Sequence, residues 1–113
     1  MSHPKNKLFV IPVDFDGVVV NLRVTQVPCR LKPSPIGRHG DSGTRAYFIA
    51  SKKPGNLGGI TFEELDTEGF LHELGHAAFE AVKKGLLDCS CGIEEAVCRA
   101  LGKIAAAAVS RII

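Results

Sequence analysis

Two segments near the start of the chain, residues 7–13 and 18–27, are rich in valine, isoleucine and phenylalanine. Between them stands Asp16-Gly17, and glycine tolerates the positive φ that tight primed turns require. The pattern predicts a β-hairpin. Pro12 has no N–H to donate to a ladder, so we expect it to face away from a paired strand or to lie at a sheet edge.

The amino-acid composition changes twice in the middle of the chain. Residues 28–44 are rich in proline and glycine and hold hardly any apolar side chains, which predicts a long loop. Residues 45–51, R-A-Y-F-I-A-S, then predict a third strand. Its end is marked by residues 52–55 and by the glycines Gly58 and Gly59.

The second half of the chain predicts two helices. Thr61 at an N-cap with Glu64 three residues later forms a capping box, and the helical pattern runs to Lys84 and stops at Gly85. At about 100° per residue, one broad apolar face collects Phe70, Leu71, Leu74, Ala78, Phe79, Ala81 and Val82. Residues 93–113 predict the second helix, with an apolar face of Ile93, Val97, Leu101, Ile104, Ala105 and Ala108.

These elements predict an α+β fold in which the hairpin and the third strand pack on the two helices. A chain of 113 residues suggests one domain with a single modest core, spanning residues 1–113. The polar segment 1–7 is expected to be flexible.

The charge and hydropathy of the chain bear on its binding partners and on its cellular location. The formal net charge is +2 and the basic residues are scattered, so neither nucleic acid nor an anionic membrane is predicted as a partner. Residues 8–20 are apolar, but Pro12, Asp14, Asp16 and Gly17 interrupt them, which favours strand and turn over a signal peptide. No apolar run reaches the roughly 20 residues of a membrane helix. We therefore predict a cytoplasmic protein.

Four cysteines and a loop histidine are weak candidates for chemistry. In a cytoplasmic protein we expect Cys29, Cys89, Cys91 and Cys98 to be reduced, and their spacing does not match the usual C-x-x-C zinc sites. His39 lies alone in the predicted loop, where a solvated side chain is more common than a metal ligand.

The strongest chemical signal is residues 72–76, H-E-L-G-H. Histidines at i and i+4 of a helix project from one face about one turn apart, so His72 and His76 can bind one zinc ion. Glu73 between them can take a proton from zinc-activated water, the general-base role of this pattern. On the helix both histidines fall at the border of the apolar face, and Glu73 is expected just beyond them, toward a cleft.

A catalytic zinc ion needs a third protein ligand. No histidine follows His76, which leaves the acidic candidates Glu80, Asp88, Glu94 and Glu95. Glu80 lies about 12 Å along the helix axis from His72, too far to converge with both histidines. Glu94 is predicted on the flank of the second helix's apolar face and Glu95 on the opposite side, so Glu94 is preferred. The alternative is that both acids only favour the helix N-terminus.

H-E-L-G-H followed some twenty residues later by E-E-A-V-C-R-A-L resembles the small gluzincin-type metallopeptidases, in particular the ImmA/IrrE group and short phage-encoded domains similar to it. The order of elements from about Leu8 onward is also similar. The resemblance implies a zincin-like fold, zinc bound by His72, His76 and Glu94, and Glu73 as the base. One departure is Glu80, where that group often has another histidine.

The sequence thus predicts a zinc metallopeptidase that hydrolyses peptide bonds of a protein or peptide substrate. Tyr47 and His39 are candidates for stabilising the oxyanion. The alternative is a non-catalytic, zinc-stabilised protein-interaction module, and a third possibility is a metal-free binding domain. The oligomeric state and the identity of the substrate do not follow from the sequence.

Overall fold

The computed structural model describes residues 6–28 and 45–112, which form four strands and two helices. The elements in chain order are β1 (Lys7–Phe15), β2 (Val18–Val27), β3 (Ala46–Ala50), β4 (Asn56–Glu63), α1 (Thr67–Lys83) and α2 (Ile93–Ile112). The predicted α+β class is confirmed. The predicted loop that holds Cys29 and His39 lies outside the described residues, except for Pro28.

The N-terminal hairpin forms as predicted. β1 and β2 pair antiparallel, and the two residues of their connection, Asp16 and Gly17, have φ values of 54° and 97°. Two consecutive positive φ values are typical of the primed turns that match the twist of a hairpin. The Asp14 carboxylate also accepts a hydrogen bond from the Gly17 N–H at 2.7 Å. β1 lies at one edge of the sheet, which satisfies the expectation for Pro12.

A fourth strand, β4, occupies the region predicted to be loop and helix start. It lies inside the sheet, in the order β1-β2-β4-β3, pairing parallel with β2 and antiparallel with β3. The predicted N-cap at Thr61 is therefore wrong, because Thr61 is paired on both sides within β4. The helix instead begins at Thr67, where the Asp66 carboxylate caps it by accepting from the Gly69 N–H at 3.2 Å.

The two helices pack side by side on one face of the sheet, α1 against β3 and β4, and α2 against β1. The strands bury alternate residues beneath them, as in Ile11, Val13 and Phe15 of β1. The helices contribute small side chains to the same core: Ala77, Ala78, Ala81, Ala96, Ala100 and Ala108. Neither helix of the described residues is both long and apolar enough to span a membrane.

Because of these alanines, the buried face of each helix differs from the predicted one. Leu71 and Phe79, predicted to face the core, are 55% and 51% exposed, and Ile93 of α2 is 61% exposed. Side chains that are only one methyl group let helices and strands approach closely, so the buried arc of each helix is centred on alanine instead of on the larger apolar residues. The predicted core faces were therefore partly wrong in their rotation about the helix axes.

Candidate metal centre

The two histidines of residues 72–76 lie within α1 and converge on each other. Their Nε2 atoms are 3.2 Å apart, and their rings meet edge to face with centroids separated by 4.9 Å. The helix produces this geometry locally, because residues i and i+4 stand one above the other on its surface. The predicted helical placement of the pair is confirmed.

The separation of the two nitrogens fits a shared metal ion. Two ligands 2.0–2.1 Å from one tetrahedral zinc ion are about 3.3 Å apart, and the Nε2 atoms of His72 and His76 are already at 3.2 Å. A ligand atom of Glu73 joins them, with all three within 4.8 Å of one another. Two imidazoles and a carboxylate are the donor types that zinc binds in catalytic sites.

Glu73 is the buried member of this group. It is 4% exposed, and its Oε2 atom lies 3.9 Å from Nε2 of His72, whose side chain is 62% exposed. Glu73 lies beside the histidines as expected, but its side chain is buried instead of open to a cleft. The buried arc of α1 is rotated toward Glu73 because Ala77, one turn later on the same side, packs fully into the core.

The flank of α1 that carries Glu73 faces the edge strand β3. Lys84 lies about three full turns after Glu73 and hence on the same side of the helix. Its ammonium group donates to the Ser51 carbonyl oxygen at 2.6 Å, immediately after the end of β3. Glu80 lies between them and pairs with Lys83 and Lys84 at 3.7 and 3.5 Å. Glu73 thus lies on a flank of α1 between the row of the histidines and β3, which is an edge strand among the described strands.

Glu94 is not brought into this group. It is exposed in the first turn of α2, and so is Glu95. A cavity of about 300 Å³ is lined by Leu74 of α1 together with Ala105 of α2, so the two helices run antiparallel. Glu94 lies about 16 Å along α2 from Ala105, toward the far end of α1. Its role as the third ligand stays a prediction.

The predicted oxyanion candidates differ in their placement. Tyr47 alternates with Ala46 and Phe48, which are buried beneath the helices, so it projects to the opposite face of the sheet. That position does not reach the histidine pair, and Tyr47 is removed as a candidate. His39 lies outside the described residues.

A supporting residue that the sequence analysis missed is Asp66. It is 9% exposed, and its second carboxylate oxygen is buried against Gly69, where a Cβ would collide with it. Aspartate is one of the residues most preferred at helix N-caps. It was overlooked because Thr61, five residues earlier and on the other side of a turn, offered a capping box with Glu64.

Comparison of the chain with protein-family models, with curated proteins and with solved structures gives no match.

Proposed function

We propose that the protein is a zinc-dependent metallopeptidase. The observation that carries the proposal is the pair of histidine nitrogens at 3.2 Å, with the buried carboxylate of Glu73 beside them. A hydrogen bond between the two rings also suits this distance, but it does not account for a carboxylate buried at their side. A catalytic zinc site accounts for both the close histidine nitrogens and the buried carboxylate, because it uses imidazole ligands together with a general base held beside the ion.

His72 and His76 would hold the ion. A zinc ion bound there supplies Lewis acidity and makes water a nucleophile near neutral pH. The Oε2 atom of Glu73 takes up the proton of the attacking water and can return it to the amine that leaves. Burial keeps this carboxylate away from competing bulk water, which strengthens its electrostatic interaction with neighbouring groups.

The edge strand β3 offers a way to hold an extended peptide near these groups. Its inner side is hydrogen-bonded to β4, so among the described strands its outer side has backbone groups that are not paired within the sheet. A substrate strand can add to such an edge through main-chain hydrogen bonds. Because the Glu73 flank of α1 faces β3, this mode of binding supports peptides as the substrate class.

The proposal is tested with protein stripped of metal and reloaded with one equivalent of Zn²⁺. Wild-type protein is expected to bind zinc stoichiometrically and to cleave members of a peptide library detected by mass spectrometry. The Glu73→Gln variant should keep its zinc and lose at least about a hundredfold in rate, the usual contribution of a general base. Glu68→Gln, an exposed change in the first turn of the same helix, is the matched control and should retain both properties.

Two results would contradict the proposal. One is wild-type protein that takes up no zinc, and the other is cleavage by Glu73→Gln at the wild-type rate. The alternative, a zinc-stabilised interaction module, predicts instead that chelation unfolds the protein. The exposed His72 disfavours it, because a structural ion normally binds between elements that it holds together. Circular dichroism before and after chelation separates the two functions.

A further inference from the structure

The face of the sheet opposite the helices contains a hollow. The helices cover one face, and none of the described elements covers the other. On that open face a hollow of about 590 Å³ is lined by residues of all four strands and of the turn between β3 and β4. Small-molecule sites have volumes of roughly 300–1,000 Å³. We call this cavity the outer hollow, and the sheet separates it from the candidate metal centre.

One row of paired residues crosses the outer hollow. Val10 pairs with Arg23, Arg23 with Gly59, and Gly59 with Ile49, so the row includes all four strands. Residues directly opposite each other in neighbouring strands share one face of the sheet. Val10 and Ile49 are 42% and 43% exposed on this face. Because Gly59 has no side chain, the row is open between Arg23 and Ile49, which lie two strand spacings, about 10 Å, apart.

Gly59 forms the floor of the outer hollow. A Cβ added there would lie 3.8 Å from the Arg23 carbonyl oxygen and 3.9 Å from its Cβ, which are ordinary contact distances, and its φ is not in the left-handed region. Glycine inside a strand weakens the strand and often marks a place where a ligand approaches the backbone closely. Gly58 differs, because a Cβ there would lie 2.5 Å from the Ile49 carbonyl oxygen.

The polar residues that line the outer hollow are suited to an anion. Arg23 and Lys53 supply two positive charges, and Asn21 and Asn56 supply amide groups, whereas no lining residue is acidic. Among the described residues, neither Arg23 nor Lys53 forms an ion pair with a carboxylate. Hydrogen bonds from charged donors to an anion are stronger than those between neutral groups. The two cations therefore have their donor groups available for a ligand.

The turn that carries Lys53 is fixed by backbone hydrogen bonds. The Lys53 N–H donates to Ser51 Oγ at 3.2 Å, and the Lys53 carbonyl oxygen accepts from the Asn56 N–H at 3.2 Å. The Asn21 N–H of β2 donates to the Gly55 carbonyl oxygen at 2.9 Å. These bonds tie the turn to β2, so the backbone positions of the lining cations and amides are set before a ligand binds.

We propose that the outer hollow binds a small phosphate monoester with a flat, apolar organic part. A phosphate monoester carries a charge of about −1.5 to −2 at pH 7, which matches the two cations, whereas a carboxylate matches one. The Arg23 guanidinium can bind two phosphate oxygens at once. The organic part would lie over Gly59, with Val10 and Ile49 on either side. This site is separate from the proposed peptidase activity and does not depend on it.

The test is a titration of metal-stripped protein at pH 7.5, followed by ¹H–¹⁵N NMR with chelator present so that phosphate cannot bind zinc. The probes are phenyl phosphate, inorganic phosphate, which lacks the ring, and benzoate, which carries one charge. Wild-type protein should bind phenyl phosphate about tenfold more tightly than either other probe, because the ring adds an apolar contact of that size and the second charge adds an ionic hydrogen bond. The largest amide shifts should fall in residues 21–23 and 53–59.

Filling the floor of the outer hollow separates binding from folding. Gly59→Val places a side chain between Arg23 and Ile49 and adds a residue that favours strands, so the melting temperature should stay the same or rise. Its affinity for phenyl phosphate should fall about tenfold, to that for inorganic phosphate. Thr61→Val, two residues farther along β4 and outside the lining of the hollow, is the matched control and should keep the wild-type affinity.

Removing either cation tests the anion contact. Arg23→Gln and Lys53→Gln should each weaken the binding of both phosphates at least about tenfold, the usual effect of losing a hydrogen bond to a charged group. Lys52→Gln removes the same charge from the exposed neighbour of Lys53, which does not line the hollow. This control should change the affinity less than twofold.

Several results would overturn the proposal. Equal affinities for phenyl phosphate and inorganic phosphate, or equal losses in Lys52→Gln and Lys53→Gln, would show only general attraction of anions to a positive surface. Benzoate bound as tightly as phenyl phosphate would refute the phosphate class. Oligothymidylate bound at the same residues, with no binding of phenyl phosphate, would assign the face to a nucleic-acid strand. A dimer in analytical ultracentrifugation that Ile49→Ser dissociates would assign it to a second copy of the chain.

Discussion

Replacing Glu73 by glutamine should make the metal-free protein more stable. The substitution keeps the size and shape of a side chain that is 4% exposed and removes its charge. Among the described residues, the basic group within ion-pair distance of it is Nε2 of His72, at 3.9 Å and on a side chain that is 62% exposed, so solvent screens their interaction. Burying an amide costs less than burying a carboxylate that lacks a cationic partner. We expect the free energy of unfolding to rise by about 1–2 kcal/mol, the usual gain when a functional residue is removed.

Urea denaturation at pH 8, followed by circular dichroism with chelator present, measures this effect. For a slope near 1.5 kcal/mol per molar urea, the expected gain moves the midpoint upward by roughly 1 M. Glu68→Gln, which changes an exposed charge, should move the midpoint little. A Glu73→Gln protein that is less stable than wild type at pH 8 would refute the reasoning, because the carboxylate would then be stabilising the fold.

Three further predictions concern two glycines of the sheet and the candidate metal ligands. Gly58→Ala should lower the free energy of unfolding by about 3 kcal/mol or more, because the φ of Gly58 is 154° and an added Cβ would lie 2.5 Å from the Ile49 carbonyl oxygen. Gly59→Ala should be neutral or slightly stabilising, because no atom lies closer than 3.8 Å to the added Cβ. Equal urea midpoints for the two variants would contradict this prediction. Zinc at 100 times its dissociation constant should stabilise wild-type protein by about 2.7 kcal/mol, seen as a higher melting temperature, and His76→Ala should abolish that rise. Glu94→Gln should weaken zinc binding in a calorimetric titration, and an unchanged affinity would remove Glu94 from the coordination set.

Local signals predicted part of the fold correctly. The hairpin follows from Asp16-Gly17, since those two residues determine the turn and the turn determines the register of β1 and β2. Strand β4 could not be found in this way. Gly58 and Gly59 are typical of loops, and they form a strand here because β2 and β3 pair with both sides of it. The pairing with β2 joins segments distant in sequence, which a local pattern does not contain.

The candidate metal site was likewise predictable only in part. The convergence of His72 and His76 was predictable because i and i+4 spacing on one helix is sufficient to produce it. The burial of Glu73 was not, because it depends on how far α1 is rotated against the sheet. The hydrophobic periodicity predicted that the large side chains of Leu71 and Phe79 would be buried, whereas close packing buries the alanines of α1 instead. The placement of Glu94 depends in addition on the course of the connection between the helices.

The central position of β4 has a consequence for the order of folding. The chain makes β1, β2 and β3 before the strand that joins β2 to β3. During synthesis, the hairpin can therefore form early, but β3 meets its partner among the described strands, β4, only after residues 56–63 have left the ribosome. Contacts between distant segments carry a loop-closure cost and form slowly. Closure of the sheet is thus expected to coincide with the docking of α1, so the histidines can converge on a nascent helix before Glu73 becomes buried beside them.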